Sequence, residues 1–389
     1  MDNALKQLIK ISNNVGKDSL LIQGGGGNTS VKTDDQNSMF IKASGTAIKD
    51  MNEKKGFRRL NLAPVRSIVM DKKIAKLDVY PREIEVVKRL LLACNDNLKT
   101  IARPSVESHL HSYLDKCVIH IHPAAVLSYA CAKDGKKLLE KLFIKQKPRP
   151  LWIPYADPGY MLGRKITKAV LNYRNQFGKN PHVCFLQKHG LIISADNPEL
   201  TLKLLQTVIN KCSSKLKPLK CKKIKPPDQK TITNTKRNIR KAVEKVTNTK
   251  TLITYFTNDT ISAFMQREDA KKLLSVPAIT PDEQLYNHGP AMWLESFNPG
   301  IIAEKLSAQI EKSRKLSVAF LVRDVGLFVA AKKKITPAIK EIAENSFFIR
   351  VNASRMGGLM HLNLRQQNFI NNWEADVFRK KVATGTEKI

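Results

Sequence analysis

The chain has 389 residues and a formal net charge of +33, from 67 Lys and Arg against 34 Asp and Glu. Its 42% hydrophobic content, with 18 Gly and 18 Pro, is that of a globular protein long enough for two domains, and excludes collagenous or disordered classes. No apolar run approaches the roughly 18 residues of a membrane span, and the first residues lack the basic-then-apolar pattern of a secretion signal, so a cytoplasmic protein without a membrane partner is expected.

In chain order, residues 4–14 are predicted as a helix and 20–23 as a strand entering the run Gly24-Gly25-Gly26-Gly27-Asn28-Thr29-Ser30. Two further strands are expected at 31–32 and 39–42, then the turn Ala43-Ser44-Gly45-Thr46. A helix over 83–94 would place Ile84, Val87, Leu90 and Leu91 on one face. Ser105 suits the N-cap of a helix running through 107–114. The run 117–121 is a predicted strand and 124–133 a predicted helix. Strands at 183–186 and 191–194 flank Lys188-His189-Gly190, and a helix with an apolar stripe covers 200–212. Strands and helices alternate without regular βαβ spacing, which indicates an α/β sandwich.

Residues 211–250 change character. They are basic, contain Pro218, Pro226 and Pro227, and hold few large apolar side chains. The expected organisation is therefore a first domain at 1–212, a basic linker at 213–250 with a helix at its end, and a second α/β domain at 251–389. Lysines without interleaved aromatic residues suit solubility better than base reading, so no specific nucleic-acid partner is expected. The six cysteines (94, 117, 131, 184, 212 and 221) form no CxxC pair, and four lie in apolar runs, as reduced core residues do. Residues 183–195 can be laid over 319–331, each as strand, Gly turn, strand, with Val325 at the position of His189. The match is either a degenerate internal repeat or a chance coincidence of short segments.

The chemistry concentrates at His120-Ile121-His122. Residues i and i+2 share a face of a strand, so both imidazoles can reach one ion. A catalytic Zn²⁺ takes about three protein ligands and keeps one position open. His189, at a Gly turn between two apolar strands, is the best third candidate. His109 and His111 form a second pair, but on a predicted helix i and i+2 do not share a face. Glu107 is a candidate general acid or base beside such a metal. The Gly-rich turn supplies bare backbone N–H groups, and Asn28, Thr29, Ser30 and Ser44-Gly45-Thr46 add small polar groups suited to a phosphate or polyhydroxyl ligand.

The ordered set of the Gly-rich turn with Asn28, Ser44-Gly45, Pro104-Ser105-Val106-Glu107, His120-Ile121-His122-Pro123, Pro154-Tyr155-Ala156-Asp157-Pro158-Gly159 and Lys188-His189-Gly190 resembles the class II aldolase/adducin family, over residues 1 to about 212. The resemblance implies an α/β/α sandwich with a mainly antiparallel central sheet. It further implies His120, His122 and His189 as Zn²⁺ ligands, Glu107 as catalytic acid/base, and Gly27, Asn28, Ser44, Gly45 and Ser105 as substrate- or phosphate-binding residues. Val106 stands where the family's aldolases often carry a second serine, which removes one phosphate donor. Thr280-Pro281-Asp282, the strand pair around Val325-Gly326-Leu327, Met356-Gly357-Gly358 and Asn372-Trp373-Glu374 resemble the long rhamnulose-phosphate aldolase-like members, without a nicotinamide fingerprint. The implied activity is that of a class II, metal-dependent aldolase, an aldehyde-lyase that cleaves a phosphorylated or polyhydroxylated ketose through a metal-stabilised enediolate, in a homo-oligomer. A 4-epimerase, a dehydratase or a non-catalytic adducin-like scaffold are the alternatives, and the glutamate at position 107 leans toward lyase chemistry.

Overall fold

Val118, Ile119 and Ile121 make Cys117–Ile121 a β-branched run with every residue buried, the pattern of a strand covered on both faces. In the computed structural model, which describes residues 2–96, 102–221, 226–313 and 315–373, this strand is the middle one of seven. The strands are β1 (Asn28–Lys32), β2 (Ser38–Lys42), β3 (Phe57–Asn61), β4 (Cys117–Ile121), β5 (Leu151–Ile153), β6 (Val183–Leu186) and β7 (Gly190–Ala195), ordered β3-β2-β1-β4-β7-β6-β5. β5 and β6 run parallel and the other neighbours antiparallel, so the mainly antiparallel sheet of the expected sandwich is present. Helix Tyr160–Phe177 lays Leu162, Ile166 and Val170 on the face that carries Val118 and Ile192. Helix Asn3–Val15 covers the other face, where the Ser12 hydroxyl lies 2.7 Å from that of Thr29. Each aliphatic side chain so buried contributes about 1.5–3 kcal/mol by leaving water.

Three local expectations for this first unit change. Residues 20–23 are not a strand. The amides of Leu21 and Ile22 bond to the carbonyl of Asp18 while its carboxylate takes the amide of Leu20, which closes a turn and leaves Leu20 exposed. The helix expected at 83–94 spans Val79–Leu92 and buries a different face: Arg82, Glu83, Val86 and Leu90, with Ile84 and Leu91 exposed at 47% and 40%. Apolar periodicity could not find this face because its buried residues include an ion pair. Glu83 accepts the indole N–H of Trp373 at 3.1 Å, and Arg82 lies over the ring of Tyr160. The helix expected through 107–114 is only one turn, Ser108–His111. β3 and helix Leu62–Met70 were not anticipated, since Arg58 and Arg59 break the apolar pattern. Arg58 is buried by a two-point pair with Asp96, at 2.8 and 3.0 Å.

A second unit comprises 131–133 and 216–371. Helix Gln229–Thr247, inside the segment read as a linker, is capped by Asp228, which accepts the amide of Thr231 at 2.7 Å, and it ends at Asn248 in the left-handed conformation. Its Ile239, Ala242 and Val243 share a core with Leu306, Phe320 and Phe328. The strands are β8 (Ile253–Phe256), β9 (Met292–Leu294), β10 (Ala319–Val322) and β11 (Gly326–Ala330), ordered β8-β11-β10-β9. Residues 374–389 of the second domain expected from sequence, Glu374 among them, lie outside the described residues.

The two sheets share a four-strand plan. β4-β7-β6-β5 and β8-β11-β10-β9 have the same chain order, the same two antiparallel pairings and the same parallel pairing. Their registers agree. His120 faces Ile192 as Tyr255 faces Phe328, and Trp152 faces Phe185 as Trp293 faces Leu321. The hairpin turns place Lys188 and Asp324 in the left-handed region at φ 56° and 61°. In this alignment Tyr255, Thr257 and Val325 stand where the first sheet has His120, His122 and His189.

Candidate metal and catalytic site

β4 carries His120, and His122 follows directly past its last residue, at one end of the first sheet. The hairpin between β6 and β7 brings His189 to meet them. With Lys188 in a left-handed turn, the His189 amide bonds to the carbonyl of Leu186 at 3.1 Å. Gly190 is required here, since a Cβ would lie 2.6 Å from the His122 ring and 2.6 Å from the carbonyl of Ile121. Gly27 is held for a similar reason at φ +68°, because a Cβ there would meet the carbonyl of His120 at 2.7 Å. The Gly-rich turn is thus packed on β4.

All three imidazoles are buried, and their ligand nitrogens lie within 4.8 Å of one another. His120 Nε2 is 3.2 Å from His189 Nε2 and 3.4 Å from His122 Nε2. His120 Nδ1–H donates to the carbonyl of Leu191 at 3.0 Å, which fixes the tautomer and leaves Nε2 as a lone pair. Burial, reinforced by His122 and His189 and opposed by Glu107, pushes the His120 pKa down to about 3. The ring is therefore neutral, the form that binds metals. Four-coordinate Zn²⁺ with bonds of 2.0–2.1 Å separates adjacent nitrogens by about 3.3 Å. The donor set fits a divalent ion of that class.

Glu107 is 3% exposed, with Oε2 3.5 Å from His120 Nε2 and Oε1 3.5 Å from His189 Nε2. Its position depends on β1. Asn28 is in register with His120, and its amide donates to Glu107 Oε2 at 2.7 Å. Asn28, which the family resemblance assigns to substrate binding, thus also holds the carboxylate through its side-chain N–H. Ser105 and Ser44 come together through backbone pairing. The Ser44 amide bonds to the carbonyl of Arg103 at 2.7 Å, and the Ser105 amide to that of Lys42 at 3.1 Å. Both serines are buried, Gly45 follows at φ +84°, and the Ser105 hydroxyl accepts the amide of Glu107 at 3.3 Å.

The second His-x-His pair lies behind this cluster. His111 Nδ1 is 2.8 Å from the Ser30 hydroxyl, and His109 sits against Tyr160. Burial pushes His109 down to about 4 and His111 well below the ordinary histidine value. Beneath them Lys32, fully buried, donates to the carbonyls of His111, Leu114 and Asp115 at 2.9, 2.9 and 2.6 Å, which closes off the end of the one-turn helix. Neither Lys32 nor the Asn28–Glu107 contact was legible in the sequence, since both depend on the register of β1.

Residues 6–216 match the family model of the class II aldolase and adducin N-terminal domain. A curated relative from Bacillus subtilis (strain 168), "Uncharacterized oxidoreductase YuxG", is 28% identical over 320 residues. The match takes in 77% of this chain and 43% of the relative, so the chain spans less than half of that protein's length. Among solved structures, the N-terminal class II aldolase domain of a conserved protein from Thermoplasma acidophilum is 23% identical with a TM-score of 0.45, over 55% of this chain and 94% of that one. An L-fuculose-1-phosphate aldolase from Thermus thermophilus is 14% identical with a TM-score of 0.32, over 53% and 92%. The family model covers more than half of the sequence and includes every residue of the imidazole and Glu107 cluster. The chain belongs to the class II aldolase and adducin family.

Proposed function

We propose that the chain is a zinc-dependent aldolase that cleaves a phosphorylated or polyhydroxylated ketose. The observation that carries this reading is the placement of a buried carboxylate, Glu107, 3.5 Å from two of three converging imidazoles. A bound divalent ion would supply Lewis-acid stabilisation of the enediolate left when the carbon–carbon bond breaks. His120, His122 and His189 would hold that ion, and the Leu191 carbonyl keeps His120 in the tautomer with a free Nε2 lone pair. Glu107 carries the proton that returns to the enediolate carbon in the cleavage direction. Asn28 keeps the carboxylate aimed at the cluster. Gly27, Ser44, Gly45 and Ser105 bind the substrate's phosphate or hydroxyl groups at the same sheet end. The second unit is read as a degenerate, metal-free copy of the β4–β7 half, because no imidazole occupies its three corresponding positions.

The test is retro-aldol cleavage across a panel of ketose 1-phosphates, read by coupled reduction of the released aldehyde and dihydroxyacetone phosphate. Glu107→Gln should keep bound metal and lose turnover. Full activity in Glu107→Gln, or in His120→Ala, would rule the mechanism out.

A further inference from the structure

We infer that the second unit carries a separate site for a small phosphorylated metabolite, a phosphate monoester with an organic body. A cavity of about 410 Å³ opens among its own residues, within the size range of small-ligand sites. Lys217 and Lys220 line it from the segment before helix Gln229–Thr247. Arg267 lines it just past helix Asp259–Met265, and Arg355 at the end of helix Thr336–Ser354. Among the described residues its lining holds four cations and no carboxylate, and Ala263 and Val351 are buried apolar lining residues.

Cations beside helix C-termini also serve to offset the helix dipole, so the charges must be weighed. Two helix ends contribute about −0.5 each. Asp269 takes one further charge through its two-point pair with Arg267, at 2.7 and 2.8 Å. Four cations less these leave about +2, roughly the charge of one phosphate monoester dianion. Capping the helix ends alone would require one cation, not four.

The cavity is held in shape. Asn352, buried on helix Thr336–Ser354, accepts the amide of Lys217 at 2.9 Å and donates to its carbonyl at 3.2 Å. That pair fixes the backbone at Lys217. The Arg267 guanidinium is oriented by Asp269, so little side-chain freedom is lost when a ligand arrives. The apolar lining suits an organic body rather than a bare ion. A polynucleotide is disfavoured, because the cavity is small and its lining, among the described residues, offers no aromatic ring for a base to stack on.

The experiment is calorimetric titration of the full chain with glucose 6-phosphate at physiological ionic strength, with glucose as the control. One site per chain is expected, with no heat from glucose. Lys220→Gln combined with Arg355→Gln removes two charge-assisted contacts and should weaken binding by at least about 100-fold. Lys332→Gln combined with Lys333→Gln removes equal charge from positions outside the cavity and should leave affinity nearly unchanged. His120→Ala should also leave it unchanged, which separates this site from the metal centre. Equal weakening by the two double variants, absence of binding, or preferential binding of a short RNA would overturn the inference.

Discussion

Replacing His109 by leucine should remove a defined share of the protein's sensitivity to acid. His109 is fully buried, and the space around it is tight: a Cβ on Gly163 would come within 2.0 Å of its Nε2. Burial lowers its pKa from 6.5 to about 4, with smaller opposing contributions led by Glu107. Between those values the unfolded chain binds a proton that the folded chain does not. Stability therefore rises with pH across this window and is lost as pH falls from 6.5 toward 4. From pH 6.5 down to 5.0, at 1.36 kcal/mol per unit, the loss is about 2 kcal/mol. Leucine has a similar volume and no titration. Urea unfolding with a chelator present, at pH 7.5 and 5.0, reads the effect as a difference of differences. The pH-dependent loss should be about 2 kcal/mol smaller in His109→Leu than in the parent chain. An equal loss in both proteins would show that His109 is not the depressed group the geometry makes it.

Asn28→Ala removes the 2.7 Å bond to Glu107. Hydrogen bonds to charged groups are worth about 1.5–3 kcal/mol, so kcat for ketose cleavage should fall by about 10- to 150-fold while bound metal is retained. Loss of the metal itself, measured by emission spectroscopy, would mean that Asn28 supports the ligands rather than Glu107. In the second unit, Arg350 is fully buried with Nη2 on both oxygens of Glu283, at 3.1 and 2.9 Å, and Nη1 on the carbonyls of Leu273 and Val276. Arg350→Met leaves the buried carboxylate without its cation, with only the Ile279 amide and the Ser346 hydroxyl as donors among the described residues, and should cost about 3–5 kcal/mol. Adding Glu283→Gln should restore part of that stability in a thermal melt.

The imidazole cluster was legible from sequence because a strand's period of two is rigid. His120 and His122 had to share a face once the run 117–121 was read as β. The one-turn helix at Ser108–His111 likewise set the second histidine pair apart from this cluster. Long-range placement was not legible. The Asn28–Glu107 bond exists because β1 pairs with β4 in one register, and pairing partners are not written in either segment alone. The face of helix Val79–Leu92 was misassigned because Arg82 and Glu83 are buried through contacts with Tyr160 and Trp373, far away in the chain. The short match between 183–195 and 319–331 gained weight only when the flanking strands proved to follow the same order and register.

Metal content per chain tests the central claim most directly. Protein purified without chelator and dialysed against metal-free buffer should hold one divalent ion per chain by emission spectroscopy. His189→Val, which installs the residue found at the matching position of the second sheet, should hold almost none. Two ions per chain in the parent protein, or full occupancy in His189→Val, would contradict a single site built from His120, His122 and His189.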